Sequence, residues 1–404
     1  MSVSKSSPWN RPGLGATATV ALLSIPAGSA VAENGMLDTL QVHGFLSQAL
    51  VITDHNDFFG QSSDDGGSWD YTELGVNASL RPHENVLLAA QVLSRRAGEG
   101  DDGSPELDYG VVDWQMVSDR QRTLGVQVGR FKNPFGFYNQ TRDVAFTRPS
   151  ILLPQSIYFD RTRSLGLAGD GLSLYHEERL DGGLLRTQLG FGKARIEDDV
   201  ETAIGLGQAP GSLDADTSAV GQVRYEHDGG RVIVAVSAAT ANAEYDSPDQ
   251  GPGDGEFNFT PWVLSAQYNA ELWSLTAEYA LRDISLTGFD AFPDQDTTGE
   301  SWYVQYTRRI GDDWQWLLRY DSLVNDRDDR NGNAYERSGR GPSYSQFADD
   351  MTVGVQWTPH PSIMLAGEYH RVDGTGWLPA EDNPDPQDTE RRWDMWLFQL
   401  SLRF

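Results

Sequence analysis

The densest group of chemistry-bearing side chains lies between Lys132 and Ser164, where Lys132, Arg142, Arg148, Arg161 and Arg163 face only Asp143 and Asp160, with Arg130 just ahead. That stretch carries +3 in a chain of net charge −28, whereas 54–68 carries −4 and 195–216, 241–257 and 374–390 each carry −5. Guanidinium and ammonium groups gathered in a narrow, low-dielectric passage concentrate anions and repel cations. Arg186, Arg224, Arg282, Arg309 and Arg319 extend such a path along alternating segments, opposed by Glu73, Asp113, Glu226, Glu278, Asp321 and Glu368. Two readings stand open: a free basic ring that selects anions, or charges that pair with one another and stiffen the passage.

Other chemistry finds little support. Nucleophilic catalysis needs a Ser or Cys, a His and an acid in one constellation. The chain has no cysteine, its seven histidines (His43, His55, His83, His176, His227, His360 and His370) are scattered, and no Gly-x-Ser-x-Gly elbow occurs. The expectation is no enzymatic activity and no cofactor. Asp326–Asn333 superficially resembles a calcium loop, but arginines interrupt the spacing and the closing Glu is absent, so no metal site is expected. The strong acidity argues against nucleic acid as a partner. The acidic stretches could share divalent cations with lipopolysaccharide, funnel cationic solutes, or keep the surface solvated.

The elements that must position these side chains follow from a period of two. Trp262, Leu264, Ala266 and Tyr268 share one face against Val263, Ser265 and Gln267; Trp302, Val304 and Tyr306 stand likewise against Tyr303, Gln305 and Thr307. Sixteen such units are predicted, at 40–53, 69–81, 84–95, 108–118, 121–131, 165–178, 183–194, 217–228, 231–240, 258–270, 272–283, 299–310, 313–325, 347–358, 361–373 and 391–404. Short turns alternate with long polar connections, the pattern of a transmembrane, sixteen-stranded, antiparallel up-and-down β-barrel. In lipid no water satisfies an open sheet edge, so closure is obligatory. Strands of about eleven residues, rising about 3.3 Å each and tilted about 40°, cross the hydrocarbon. Trp69, Tyr71, Trp114, Trp262, Trp302, Trp314, Trp357, Trp393 and Trp396 are predicted interface girdles.

The first 32 residues pair sparse basic residues with an apolar centre and end in Ala30-Val31-Ala32, predicting a cleaved export signal at 1–32 and a barrel domain at 33–404. The short interval 33–39 leaves no room for a plug domain. The final strand puts Trp396, Phe398, Leu400, Leu402 and Phe404 on one face. It resembles the C-terminal signal of outer-membrane proteins, which implies recognition of Phe404 by the barrel-assembly machinery and a bacterial outer-membrane location.

The third long connection, with prolines and six aromatics, resembles the loop that bends inward in the sixteen-stranded trimeric bacterial porins. Val128-Gly129-Arg130-Phe131-Lys132-Asn133-Pro134-Phe135-Gly136 is similar to the strand-to-loop junction of the phosphate-selective porin O and P family. The resemblance implies passive diffusion of small hydrophilic solutes, phosphate or other anions among them. It also implies an inward-folded third loop with Arg130, Lys132, Arg142, Arg148, Arg161 and Arg163 at the constriction, a homotrimer, and contact with outer-membrane lipid and lipopolysaccharide. A substrate-specific or largely closed structural or adhesive barrel is the alternative. Strand 231–240, apolar on both faces, marks either a subunit contact or an inner wall packed by a loop.

Overall fold

The computed structural model describes residues 37–248 and 251–404; the predicted export signal at 1–32 lies outside them. Sixteen long strands follow: β1 Gln41–Thr53, β2 Ser68–His83, β3 Val86–Ala97, β4 Asp101–Ser118, β5 Arg122–Lys132, β6 Ala168–Leu180, β7 Gly183–Ala194 and β8 Thr217–His227. The second half comprises β9 Val232–Asp246, β10 Gly255–Asn269, β11 Trp273–Thr287, β12 Gln295–Ile310, β13 Trp314–Val324, β14 Phe347–His360, β15 Ile363–Gly374 and β16 Arg392–Arg403. Each pairs antiparallel with its sequence neighbour, and β1 pairs with β16 from Phe45↔Arg403 to Thr53↔Met395. The sheet is a closed barrel of sixteen strands, as the alternation of connection lengths predicts.

The two faces differ as lipid demands. Val128, Leu172, Val236, Leu264, Trp302, Leu318, Met351 and Phe398 stand 37–56% exposed on the outer face. Glu73, Glu278, Gln305, Arg319, Asp321, Thr352 and Glu368, on the opposite parity, are buried. An apolar outside around a polar interior inverts a soluble protein and marks a membrane barrel, here that of the bacterial outer membrane. Trp314 and Trp357 stack across β13 and β14 with ring centroids 5.4 Å apart, and Trp69, Trp114 and Trp302 are likewise exposed. Tyr71 and Trp393 are corrections to the predicted girdle. Both are 2% exposed and pack inside against Phe58, Phe59 and Trp377.

Several predicted loops are partly strand. β9 runs to Asp246 and β10 begins at Gly255, so alternation continues through the acidic stretch 241–257. Ala241, Ala243, Tyr245 and Phe257 face inward into a cluster with Leu213, Leu286 and Phe289. Burial of these apolar groups carries the ladder beyond the expected strand ends. A four-residue strand, Ser212–Ala215, extends this hairpin by pairing with β9.

The seam closes on the chain's last residue. The Phe404 amide donates to the Gly44 carbonyl (3.0 Å) and the Gly44 amide donates to the Phe404 carbonyl (3.2 Å), while the Phe404 ring lies where a Cβ on Gly44 would stand. Deleting Phe404 removes both bonds, worth about 2 kcal/mol together. The folded, heat-modifiable fraction on gel electrophoresis is expected to fall; an unchanged fraction would show that Phe404 contributes nothing to closure or assembly.

Candidate functional site

The connection between β5 and β6, residues 133–162 followed by α1 Arg163–Leu167, carries most of the basic residues singled out in the sequence. Its neck is tied by Asn139, whose Nδ2 donates to the carbonyls of Asn133 (3.0 Å) and Gly166 (2.8 Å). Gly136, at φ +61° with Tyr158 Oη where a Cβ would stand, turns the backbone so that its amides meet the wall. The Gly136 amide donates to Ser237 Oγ on β9 (3.1 Å), and the Phe137 amide to Glu278 Oε1 on β11 (3.0 Å). Tyr158 and Tyr303 hydroxyls also donate to Glu278 (2.6 and 2.8 Å), as does Ser265 Oγ (2.5 Å). Elsewhere around the barrel, Glu368 on β15 accepts from the amides of Ile151 (2.5 Å) and Leu152 (3.2 Å). Arg319 on β13 donates to Ser150 Oγ (3.1 Å) and the Leu152 carbonyl (3.0 Å). One connection thus touches inner-face groups on β2, β8, β9, β11, β12, β13 and β15. Because Ser237 is one of these groups, the loop-packing reading of the doubly apolar strand is favoured.

The basic residues of this connection are mostly paired. Arg148 reaches Glu73 on β2 at 2.7 Å. Lys132 bonds both Asp108 and Asp143, and Arg163 bonds Asp143 and lies 3.7 Å from Asp160. Arg142 donates to the carbonyls of Tyr158 and Phe159 (both 3.1 Å) and to Asp160 (3.4 Å). Arg161 donates to Asn325 Oδ1 at 3.5 Å and lies over the Phe159 ring, and burial pulls its guanidinium down to about 10 against the opposing charge of Glu381.

Arg130 does not join them. It lies opposite Asp170 in the register and bonds it twice at 2.8 Å. It shares the outer parity of Val128, which is 52% exposed and paired with Leu172.

Among the predicted wall residues, Arg186 pairs with Glu177 (3.1 Å) and Glu226 (3.6 Å), and Arg224 with Glu226 (3.1 Å). Arg319 pairs with Asp321 at 3.2 Å in complete burial. Arg309 is exposed near the short-turn end. Arg282 contacts the Val324 carbonyl (3.2 Å) and lies over the Phe159 ring. One central cation was missed. Arg95 is 6% exposed, bonds Asp101 and Asp160, and stacks on Phe59 and Tyr71; its parity with Gln91 and Leu93 already placed it on the inner face.

Above these groups a cavity of about 710 Å³ is lined by Glu99, Asp101, Glu106, Asp108, Glu197 and Asp199, with Arg95, Arg161 and Arg163 also on its wall. Burial raises the Asp199 carboxyl above its usual range, although Ser164 donates to it through both amide (2.9 Å) and hydroxyl (2.5 Å). The stretch that superficially resembles a calcium loop is a helix start: Asp329 accepts from the amides of Ala334 (2.9 Å) and Tyr335 (2.8 Å) at α2, Asn333–Arg337.

Solved structures share this architecture. The anion-selective porin from Comamonas acidovorans matches with a TM-score of 0.55 at 12% identity, over 90% of this chain and 99% of that one. The fold is that of the outer-membrane porins. The outer membrane channel DcaP of Acinetobacter baumannii matches at 0.56 and 12% identity, over 90% of this chain and 97% of that one. A loop-deletion form of OmpT, an outer membrane protein of Vibrio cholerae, matches at 0.55 and 10% identity, over 91% and 99%. No protein-family model and no curated protein matches the chain. The exclusion of enzymatic activity is corrected by matches to OmpT at 9–10% identity. A barrel shared at such low identity does not separate catalytic from non-catalytic proteins, and scattered histidines cannot carry the exclusion alone.

Proposed function

We propose that the chain is an outer-membrane porin channel for passive diffusion of small hydrophilic solutes, narrowed by an inward-folded connection between β5 and β6. One observation supports this above all: backbone amides of a single connection are accepted by carboxylates on separate parts of the inner wall, Glu278 and Glu368. Ties to both support a segment that crosses the space enclosed by the strands. Anion preference is supported by two cations of the connection and wall, Arg161 and Arg282, that have no carboxylate within 4 Å among the described residues. The remaining constriction charges act mainly as struts. In planar bilayers under a salt gradient, the reversal potential is expected to show chloride favoured over potassium by about threefold; a cation preference would remove the anion reading.

A largely closed structural or adhesive barrel is the second reading. Phe146 of the connection lies under the guanidinium of Arg403, 4.3 Å from the ring centroid, so the segment reaches the end of the barrel where the last strand finishes. Single-channel recording separates the two: a porin gives steady open steps, a closed barrel none.

The same reading includes a removable signal at 1–32, Phe404 as the assembly signal, and lipid and lipopolysaccharide as surroundings. The resemblance at Val128–Gly136 extends it to the phosphate-selective porin O and P family. A homotrimer completes it, in line with a trimer form among the OmpT structures and with Val234 and Val236 exposed on the outer face of β9. Chemical cross-linking in detergent tests the trimer.

A further inference from the structure

Arg161 and Arg282 stand out because the buried guanidiniums Arg95, Arg142, Arg148, Arg163 and Arg319 each have an acid within 4 Å, whereas neither buried Arg282 nor half-buried Arg161 does among the described residues. Both stack on one ring, with the Arg282 guanidinium 4.6 Å and that of Arg161 5.7 Å from the Phe159 centroid. Arg282 is 6% exposed. Of the several N–H groups that a guanidinium carries, it spends one on the Val324 carbonyl at 3.2 Å, and its Nε–H is buried without an acceptor. Room for this side chain is built into the sheet: Gly299, its partner in the register, has no Cβ where the guanidinium lies. Arg161 spends a single weak contact on Asn325.

Both guanidiniums line one cavity of about 670 Å³, whose wall has an apolar part, Phe257, Phe259, Ile284 and Leu286, and a polar part that includes Gln295, Thr297 and a third guanidinium, Arg340. Its acidic residues, Asp326 and Asp329, lie in the β13–β14 connection, where Asp329 is spent on the amides of α2. Unspent donors of like charge at one end and an apolar wall beside them define a ligand with two halves. Phosphate or chloride would use only the charged half, and a hydrocarbon only the other.

We propose that this cavity binds organic carboxylates with an apolar body, such as aromatic or short-chain aliphatic acids. The carboxylate is held by Arg161 and Arg282 beside Phe159, and the body lies against the phenylalanine and aliphatic wall. The assignment deepens the channel reading by naming the solute class that the lumen would select, and it rests on that reading for its role in passage.

The test is calorimetric titration of the full-length, detergent-purified protein, corrected against empty micelles, with benzoate, hexanoate, benzyl alcohol and inorganic phosphate. Benzoate and hexanoate are expected to bind, phosphate at least about tenfold more weakly, and benzyl alcohol not at all. Arg161→Gln and Arg282→Gln are each expected to weaken benzoate about tenfold, the effect of losing a charge-assisted contact. Phosphate binding as tight as benzoate, benzyl alcohol binding as tight as benzoate, or unchanged benzoate affinity in the folded double variant would each overturn the proposal. Should a variant fail to fold, the ligand series on the unaltered protein decides alone. Calorimetry needs no open pore. A barrel that binds benzoate without conducting therefore refutes the channel reading and keeps the site, while one that conducts without binding refutes only the site.

Discussion

Replacing Glu278 and Glu368 together with Gln is expected to raise single-channel conductance by about threefold or more and to make the open level noisy. Glu278 gathers donors from the Phe137 amide and from Tyr158, Tyr303 and Ser265. Glu368 accepts two adjacent backbone amides, those of Ile151 and Leu152. A carboxylate is acceptor-only, and hydrogen bonds to it are worth about 1.5–3 kcal/mol each. Glutamine turns one oxygen of each site into a donor. Hydroxyls can rotate to accommodate that change, but the amides of Ile151 and Leu152 cannot. Glu368→Gln alone should therefore loosen the connection more than Glu278→Gln alone. Limited proteolysis reads the same event independently, as faster cleavage between Asn133 and Thr162. Unchanged conductance together with unchanged proteolysis would mean that these carboxylates do not hold the constriction.

The barrel was legible because lipid writes its demand into every second residue. β7 has the same bounds in the sequence pattern and in the structure, 183–194, and the faces assigned to Trp262–Tyr268 and Trp302–Thr307 are those the burial shows. Parity also contained corrections that residue type obscured. Trp393 alternates with the outward Trp396 and so could not belong to a girdle, whereas Tyr71 shares the parity of the exposed Trp69 and turns inward because the register with β1 shifts there. Arg130 follows Val128 on the outer face, and its place beside a basic loop concealed that.

The site was less legible, for a physical reason. A basic loop in an acidic chain announces that charges will meet, but not with which partners. Arg148 finds Glu73 seventy-five positions away, and Ile151 finds Glu368 at a separation of 217. Such pairings depend on the three-dimensional path of the connection, which no local spacing encodes. The consequence for function is that net loop charge overstated the free positive charge. On the proposed anion reading, selectivity would rest not on a ring of six cations but on the few, Arg161 and Arg282 above all, that have no carboxylate within 4 Å among the described residues.

Arg148→Met supplies the energetic test of that pairing. Arg148 and Glu73 are 4% and 1% exposed at their side chains; Arg148 also donates to Tyr71 Oη (3.3 Å) and to the Arg142 carbonyl (3.0 Å). Removing one partner of a buried ion pair costs about 3–5 kcal/mol, because the remaining charge keeps its desolvation penalty and loses its compensation. Arg95, whose Nε lies 3.8 Å from Glu73, cannot replace Arg148 fully, since it is already bonded to Asp101 and Asp160. Arg148→Met should therefore lower stability against guanidinium chloride in detergent by about that amount, while the double variant Arg148→Met with Glu73→Gln recovers most of the loss, as an apolar or neutral replacement of a buried pair commonly does. The anchoring of the connection should weaken in the single variant and conductance should rise with it. A single variant as stable as the parent would mean that Glu73 has no need of Arg148, leaving the basic loop free to act as the anion-selecting ring after all.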